Sequence, residues 1–156
     1  MALNVSLKLK IDADEIKGES GVLSLDREDS IECLSFSQSA FKHMDKKPGF
    51  QLHTEATFLP IRITKRIDKA TPFIAKAFFK HEKVGGVFRF FRPVDSGGDV
   101  HFFTMSIENG RVAEHEIISP DLFDDPSKPP LETVGFTFRS LSWEYMKPHS
   151  LISLNY

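Results

Sequence analysis

The chain is short of cysteine: Cys33 is alone among 156 residues. No internal disulfide can form, which excludes a cross-linked framework fold. A surplus of either charge is also missing. The 20 Lys+Arg stand against 22 Asp+Glu, for a net charge of −2. That argues against a general nucleic-acid binder, because displacing counterions from phosphate takes a basic excess. No window approaches the roughly 18 apolar residues of a membrane-spanning helix, so no membrane insertion is expected. The opening Met1-Ala2-Leu3-Asn4-Val5-Ser6-Leu7 has none of the basic stretch, apolar run and cleavage site of a signal peptide. The expectation is folding in the cytoplasm, with any export by a route that reads no N-terminal signal.

Convergent reactive groups are missing too. The six histidines, His43, His53, His81, His101, His115 and His149, make no recognised metal spacing. The tightest acid–imidazole cluster is Glu114-His115-Glu116, but on a strand His115 faces away from both glutamates. Cys33 sits in an alternating stretch and reads as a small buried residue rather than a nucleophile. The pairs Gly85-Gly86 and Gly97-Gly98 lack the lysine of a phosphate loop and the third glycine of a dinucleotide fingerprint, so they read as turns. The chain is therefore not expected to be an enzyme, and no cofactor or metal is expected.

Phenylalanine is what the chain has in plenty: 15, against two tyrosines and one tryptophan. Phe brings large apolar area with no polar atom to satisfy, which suits a packed barrel or sandwich core, or apolar surface left for partners. Leu3, Val5, Leu7, Leu9 and Ile11 alternate with polar residues, which predicts a half-buried strand. Asp12 to Asp29 reads as a charged loop. A second strand is predicted from Ile31 to Ser37, with Leu34 and Phe36 on one face and Ile31, Cys33, Ser35 and Ser37 on the other. Ala40 to Thr54 has no clear period and reads as a long binding or packing loop, with Phe41, Met44 and Phe50 as its apolar residues. Ala56 to Lys65 is extended. Thr71 and Pro72 then open the one convincing helix, over about residues 72–83, stopped by Gly85-Gly86.

The remainder reads as strand. Val87 to Arg92 pairs as a hairpin with Val100 to Glu108 through Ser96-Gly97-Gly98-Asp99. Asn109-Gly110 makes a tight hairpin turn on pattern alone. Arg111 to Ile118 is strand-like, Ser119 to Pro130 is an irregular surface loop of four prolines and three aspartates, and Leu131 to Phe138 pairs with Leu141 to Met146. The sum is a mainly β single domain over residues 1–156, a small barrel or sandwich of two packed sheets with one flanking helix. Lys76, Lys80 and Lys83, preceded by Lys65, Arg66 and Lys69, form the best basic patch. It reads as a solvated helix face or as a surface for an acidic partner, such as the Asp121/Asp124/Asp125 loop of a neighbouring copy.

Ile63-Thr64-Lys65-Arg66-Ile67-Asp68-Lys69-Ala70-Thr71-Pro72 resembles the stretch leading into the helix of Hcp, the tube-forming protein of bacterial type VI secretion. Ile16-Lys17-Gly18-Glu19-Ser20 is similar to a short segment near that family's start. Leu34 to Ser39, Met105 to Val112, Val134 to Phe138 and Ser142 to Tyr145 resemble its strands in order. The resemblance implies six subunits to a ring, rings stacked into a hollow tube, and export with a spike by a contracting sheath. Small effectors in the lumen are implied as well, as are assembly in the cytoplasm and secretion without a signal peptide. It also implies that Asn109-Gly110 is a bulge in one long bent strand, against the pattern reading. On this view Ser35 and Ser37 suit a wetted lumen wall, and Phe41, Met44 and Phe50 suit contact with the next ring or subunit. A phage tail-tube-like protein and a monomeric barrel binding an apolar ligand are the competing readings.

Overall fold

The computed structural model describes residues 4–45, 49 and 51–155. Strand β1 (Asn4–Ile11) turns into β2 (Asp14–Ile16), and a 3₁₀ turn at Ser24–Asp26 precedes β3 (Ile31–Cys33) and β4 (Ser35–Ser37). Next come β5 (Ala40–Met44), β6 (Leu52–Phe58), β7 (Ile61–Arg66) and helix α1 (Thr71–Lys80). The chain closes with β8 (Val84–Pro93), β9 (Asp99–Gly110), β10 (Val112–Ile118), β11 (Leu131–Phe136), β12 (Ser140–Met146) and β13 (His149–Asn155). Among the described residues these form a seven-stranded sheet, β13-β12-β9-β8-β1, whose last strand pairs on its far side with both β2 and β3. A four-stranded sheet runs β10-β11-β7-β4, and β5 with β6 makes a separate hairpin.

Alternation explains which residues meet between the two larger sheets. Leu7, Leu9, Phe88, Ile107 and Leu141 from the first sheet, with Ile61, Ile63, Val134 and Phe136 from the second, are all buried in one core. Phenylalanine stands both inside and outside the core. Phe88, Phe91 and Phe136 are fully buried, while Phe73, Phe79 and Phe123 stand in solvent.

Three corners carry the chain from one sheet to the other, and each departs from the regular pattern. At Asn109 the backbone takes φ 55°. Val84 pairs with Gly110 and Gly86 with Ile107, so two steps of β8 face three of β9, which is a bulge. Strands β9 and β10 then belong to different sheets. The tight-turn expectation fails here and the bent-strand expectation holds. Gly110 is required by close approach, since a Cβ there would lie 2.0 Å from the Thr137 carbonyl oxygen.

The second corner divides the stretch expected as one strand, Ile31 to Ser37. Ile31 and Cys33 are buried, Leu34 and Ser35 exposed, and Phe36 packs against the core. The face in contact with the core therefore inverts at Leu34, as β3 pairs with β1 and β4 with β7. The third corner separates Leu131 to Phe138 from Leu141 to Met146, which were expected to pair. Strand β11 instead lies between β10 and β7, and β12 between β9 and β13. Strand β13 lies beyond the last stretch read as strand, and it pairs along its whole length with β12.

Helix α1 is shorter than the expected 72–83. His81 takes a left-handed φ of 54° and its amide bonds back to the Ala77 carbonyl, closing the last turn at Lys80. Lys83 lies in the link between the helix and β8, with its carbonyl accepting from the Asp12 amide at 2.7 Å. Gly85 and Gly86 lie inside β8 rather than in a turn, because Leu7 packs across Gly86 where a side chain would stand. Gly97 and Gly98 do occupy the turn, at φ 91° and 78°. The expected long loop at Ala40 to Thr54 is largely the β5–β6 hairpin, whose side chains lie mostly in water, so burial gives it no apolar period.

Two outcomes are expected. Gly110→Ala forces a Cβ onto a backbone carbonyl and destabilises by about 3 kcal/mol, measured by urea unfolding. Burial pushes the Cys33 thiol up to about 12. A thiol reagent at pH 8 is therefore expected to leave Cys33 unmodified in the native protein and to label it fully once the chain is denatured.

Candidate functional site

The residues singled out for chemistry do not converge. Glu114 accepts two bonds from Arg62, at 3.0 Å from Nε and 2.7 Å from Nη2, while His115 turns inward to Glu132. Glu116 is exposed. The opposed facing of His115 and its flanking glutamates follows the strand period.

The most ordered polar arrangement lies instead under the start of α1. Lys65 and Glu132 have fully buried side chains, with Nζ 2.6 Å from Oε2. The same ammonium donates to Asp68 Oδ1 at 2.8 Å and Thr71 Oγ1 at 3.2 Å, which uses all three of its protons. Thr71 donates to Glu132 Oε2 at 2.6 Å, and His115 Nε2 reaches Glu132 Oε1 at 3.0 Å. An ionised carboxylate only accepts, so Nε2 carries the ring proton there. Asp68 Oδ1 also accepts the Ala70 amide at 2.9 Å, fixing the turn into the helix. Every polar group in this cluster has a partner, which is the condition for burying charge without heavy loss. Reading Lys65 as part of a basic surface patch is corrected by its burial. The available signal was the spacing Lys65, Asp68, Thr71, although the partner that buries them, Glu132, is 67 residues away from Lys65.

The outer face of the four-stranded sheet presents a different surface. In-register rows run Ser37–Arg62–Gly135–Glu114 and Ser35–Thr64–Thr133–Glu116. Ser35 and Ser37 are exposed. Gly135 lets the Arg62–Glu114 ion pair cross β11, since a Cβ there would stand 3.0 Å from Glu114 Cβ. The wall is short, polar and wet. Its two border strands, β4 and β10, have no strand partner on their outer edges among the described residues.

The remaining candidates are dispersed. Phe41 and Met44 are exposed on β5, and Leu52 stands exposed opposite Met44 on β6. Phe50 lies outside the described residues. Lys76 approaches Glu82 at 3.7 Å and Lys80 projects from the last helical turn. Lys83 has left the helix, so the expected three-lysine stripe does not exist.

Residues 9–145 match the family model described as type VI secretion system effector, Hcp. The chain belongs to the Hcp family. Among solved structures, a mutant Hcp1 protein from E. coli EAEC 042 pathovar superposes with a TM-score of 0.86 at 27% identity, over 99% of both chains. A second Hcp protein gives 0.87 at 22% identity, over 99% of this chain and 98% of the other. The secreted protein Hcp3 from Pseudomonas aeruginosa gives 0.71 at 16% identity, over 99% of each. The latter two likenesses speak for the fold alone. No curated protein matches the sequence. Membership confirms the family resemblance carried by the segment from Ile63 to Pro72, and the geometry above explains that segment. It holds the first contacts of the Hcp helix with its sheet.

The buried cluster is expected to dominate the stability of this Hcp chain. Lys65→Met alone strands the Glu132 carboxylate and costs about 3–5 kcal/mol in chemical unfolding. Combining it with Glu132→Leu removes both charges and recovers most of that loss. If the single and double variants unfold alike, the ion pair does not have this role.

Proposed function

We propose that this chain is the ring-forming subunit of a type VI secretion tube. Six copies close into a ring and rings stack into the inner tube. The tube leaves with the spike under a contracting sheath, and small effector proteins travel in its lumen. The reading assigns the chain a structural role and no catalysis. One observation carries it: among the described residues the four-stranded sheet ends in two unlike strands with no outer partner, β4 and β10, either side of a polar face. A closed ring needs a head-to-tail contact between unlike surfaces. Pairing β10 of one copy with β4 of the next supplies that contact and covers edges that otherwise invite uncontrolled association. The Ser35, Ser37, Thr64 and Thr133 face then lines the lumen, where short polar side chains keep a water-filled bore open. The β5–β6 hairpin, with Phe41 and Met44, reaches the next ring or subunit.

A phage tail-tube protein would share this architecture, and the family match favours the secretion setting. A monomeric barrel with an apolar pocket is disfavoured because Leu7, Leu9, Phe88, Phe136 and Leu141 fill the space between the sheets with no exposure.

Size-exclusion chromatography with light scattering is expected to give a particle of six subunit masses. A strict monomer at high concentration overturns the proposal. Phe41→Ser with Met44→Ser is expected to leave unfolding within about 0.5 kcal/mol of the parent, since both are exposed. The same variant is expected to weaken association between rings, and unchanged association removes the hairpin from that role.

A further inference from the structure

Deepening the assembly reading, on which it rests, we propose that Lys83, Arg111 and Arg139 receive the Asp121–Asp125 loop of a second copy in an end-to-end contact. The three cations meet at the corner where β9 bends into β10. They line a cleft of about 760 Å³ with His81, Asn109 and Phe138. Several other cations are matched locally, such as Lys8 with Asp26, Arg27 with Asp99 and Arg62 with Glu114. Among the described residues, none of these three has a carboxylate within 4.0 Å of its charged nitrogens. The Arg111 guanidinium donates only to its neighbour's carbonyl, Gly110 O, at 2.8 Å, and its Nε is buried without a partner among the described residues. The nearby acid, Asp12, accepts from the Lys83 backbone amide at 3.3 Å and leaves the ammonium free. Gathered like charges repel, and an incoming anion relieves that repulsion.

The matching surface is on the same molecule but out of its own reach. Asp121, Asp124 and Asp125 surround Phe123, which is 97% exposed, and among the described residues none of the three has a cation within 4.0 Å. Asp121 Oδ1 accepts the Phe123 amide at 2.8 Å and Asp125 Oδ1 the Ser127 amide at 3.0 Å, so the loop is folded before it binds. The two bonds from Ser127 hold the Asp125 carboxyl below the usual carboxylate range. Pro120, Pro126, Pro129 and Pro130 further limit the freedom lost on docking. Strand β10 separates cleft from loop by seven residues, about 23 Å. The cleft lies at its start and the loop at its end, so copies stacked head to tail bring one copy's loop to the next copy's cleft. Phe138, nearly buried, is the apolar residue of the cleft lining, and Phe123 of the incoming loop docks beside it.

The test is sedimentation velocity on the full chain at 0.1 M and 1 M salt, with Lys83→Glu/Arg139→Glu, with Asp124→Lys/Asp125→Lys, and with all four changes together. Screening shortens from about 10 Å to about 3 Å between those salts, so stacks of the parent are expected to fall to single rings at the higher one. Each two-site variant is expected to need at least about tenfold more protein to stack. The four-site variant, with both signs exchanged, is expected to recover stacking, which a folding defect cannot imitate. A zero-length carbodiimide is expected to join Lys83 to an aspartate of that loop, a link that the span of β10 forbids within one copy. Rings that stack equally well in either two-site variant overturn the proposal. So do Lys83 cross-links confined to other carboxylates, or a parent that stays a single ring at 0.1 M salt. Ring mass is read separately, so loss of the ring itself in the parent marks failure of the assembly reading rather than of this contact.

Discussion

The buried Lys65–Glu132 ion pair is the contact on which the arrangement of the rest depends. It joins β7 to β11 beneath the helix, and Thr71 and Asp68 bring the first helical turn onto the same two side chains. His115 adds β10 from the other side. Taking two charges out of water is costly, and the cost is offset only when each remaining proton and lone pair is also satisfied. Here the ammonium has three acceptors and the carboxylate three donors. Such a cluster tolerates few alternative geometries, so it fixes where the helix sits relative to the four-stranded sheet. The apolar contacts of Ile74 and Ala77 then complete a packing whose position is already set.

The consequence is a sheet covered on one face and open on the other. Its inner face takes the helix and the apolar core, which leaves Ser35, Ser37 and Arg62 exposed and Thr64 and Glu114 half-exposed on the other. Its edges are equally uneven: β4 is three residues long and β10 seven. An edge left unpaired on a lone molecule is a hazard. The proposed ring uses these two different edges, which have no outer strand partner among the described residues. The proposed ring and the proposed end-to-end contact act in different directions. One runs along hydrogen-bonding edges, and the other joins charged ends separated by the length of β10.

Much of the fold was legible along the chain because local rules governed it. The alternation of β1, the glycine turn between β8 and β9, and Thr71-Pro72 opening the helix all depend on near neighbours. The corners were not legible. At Leu34 the buried face inverts within one residue. The tight-turn reading of Asn109-Gly110 gave way to a bulge because Thr137 occupies the space that a Cβ at Gly110 would need. The β5–β6 hairpin gave no period because its side chains lie mostly in water. Lys65 reads locally as a surface charge because its acceptor, Glu132, lies far along the chain.

Taken alone, the order of residues determined the β-rich class, the single helix and its start, and, through the stretch from Ile63 to Pro72 together with the segments in order before and after it, the family. Those follow from intrinsic preference and short-range spacing, which act before distant segments meet. Only the tertiary structure decided which lysines are buried and which carry free charge, and which strands border each sheet. It also decided where the two unlike edges and the oppositely charged ends lie. Burial and strand pairing are properties of segments dozens of residues apart brought together, and no local pattern encodes the partner.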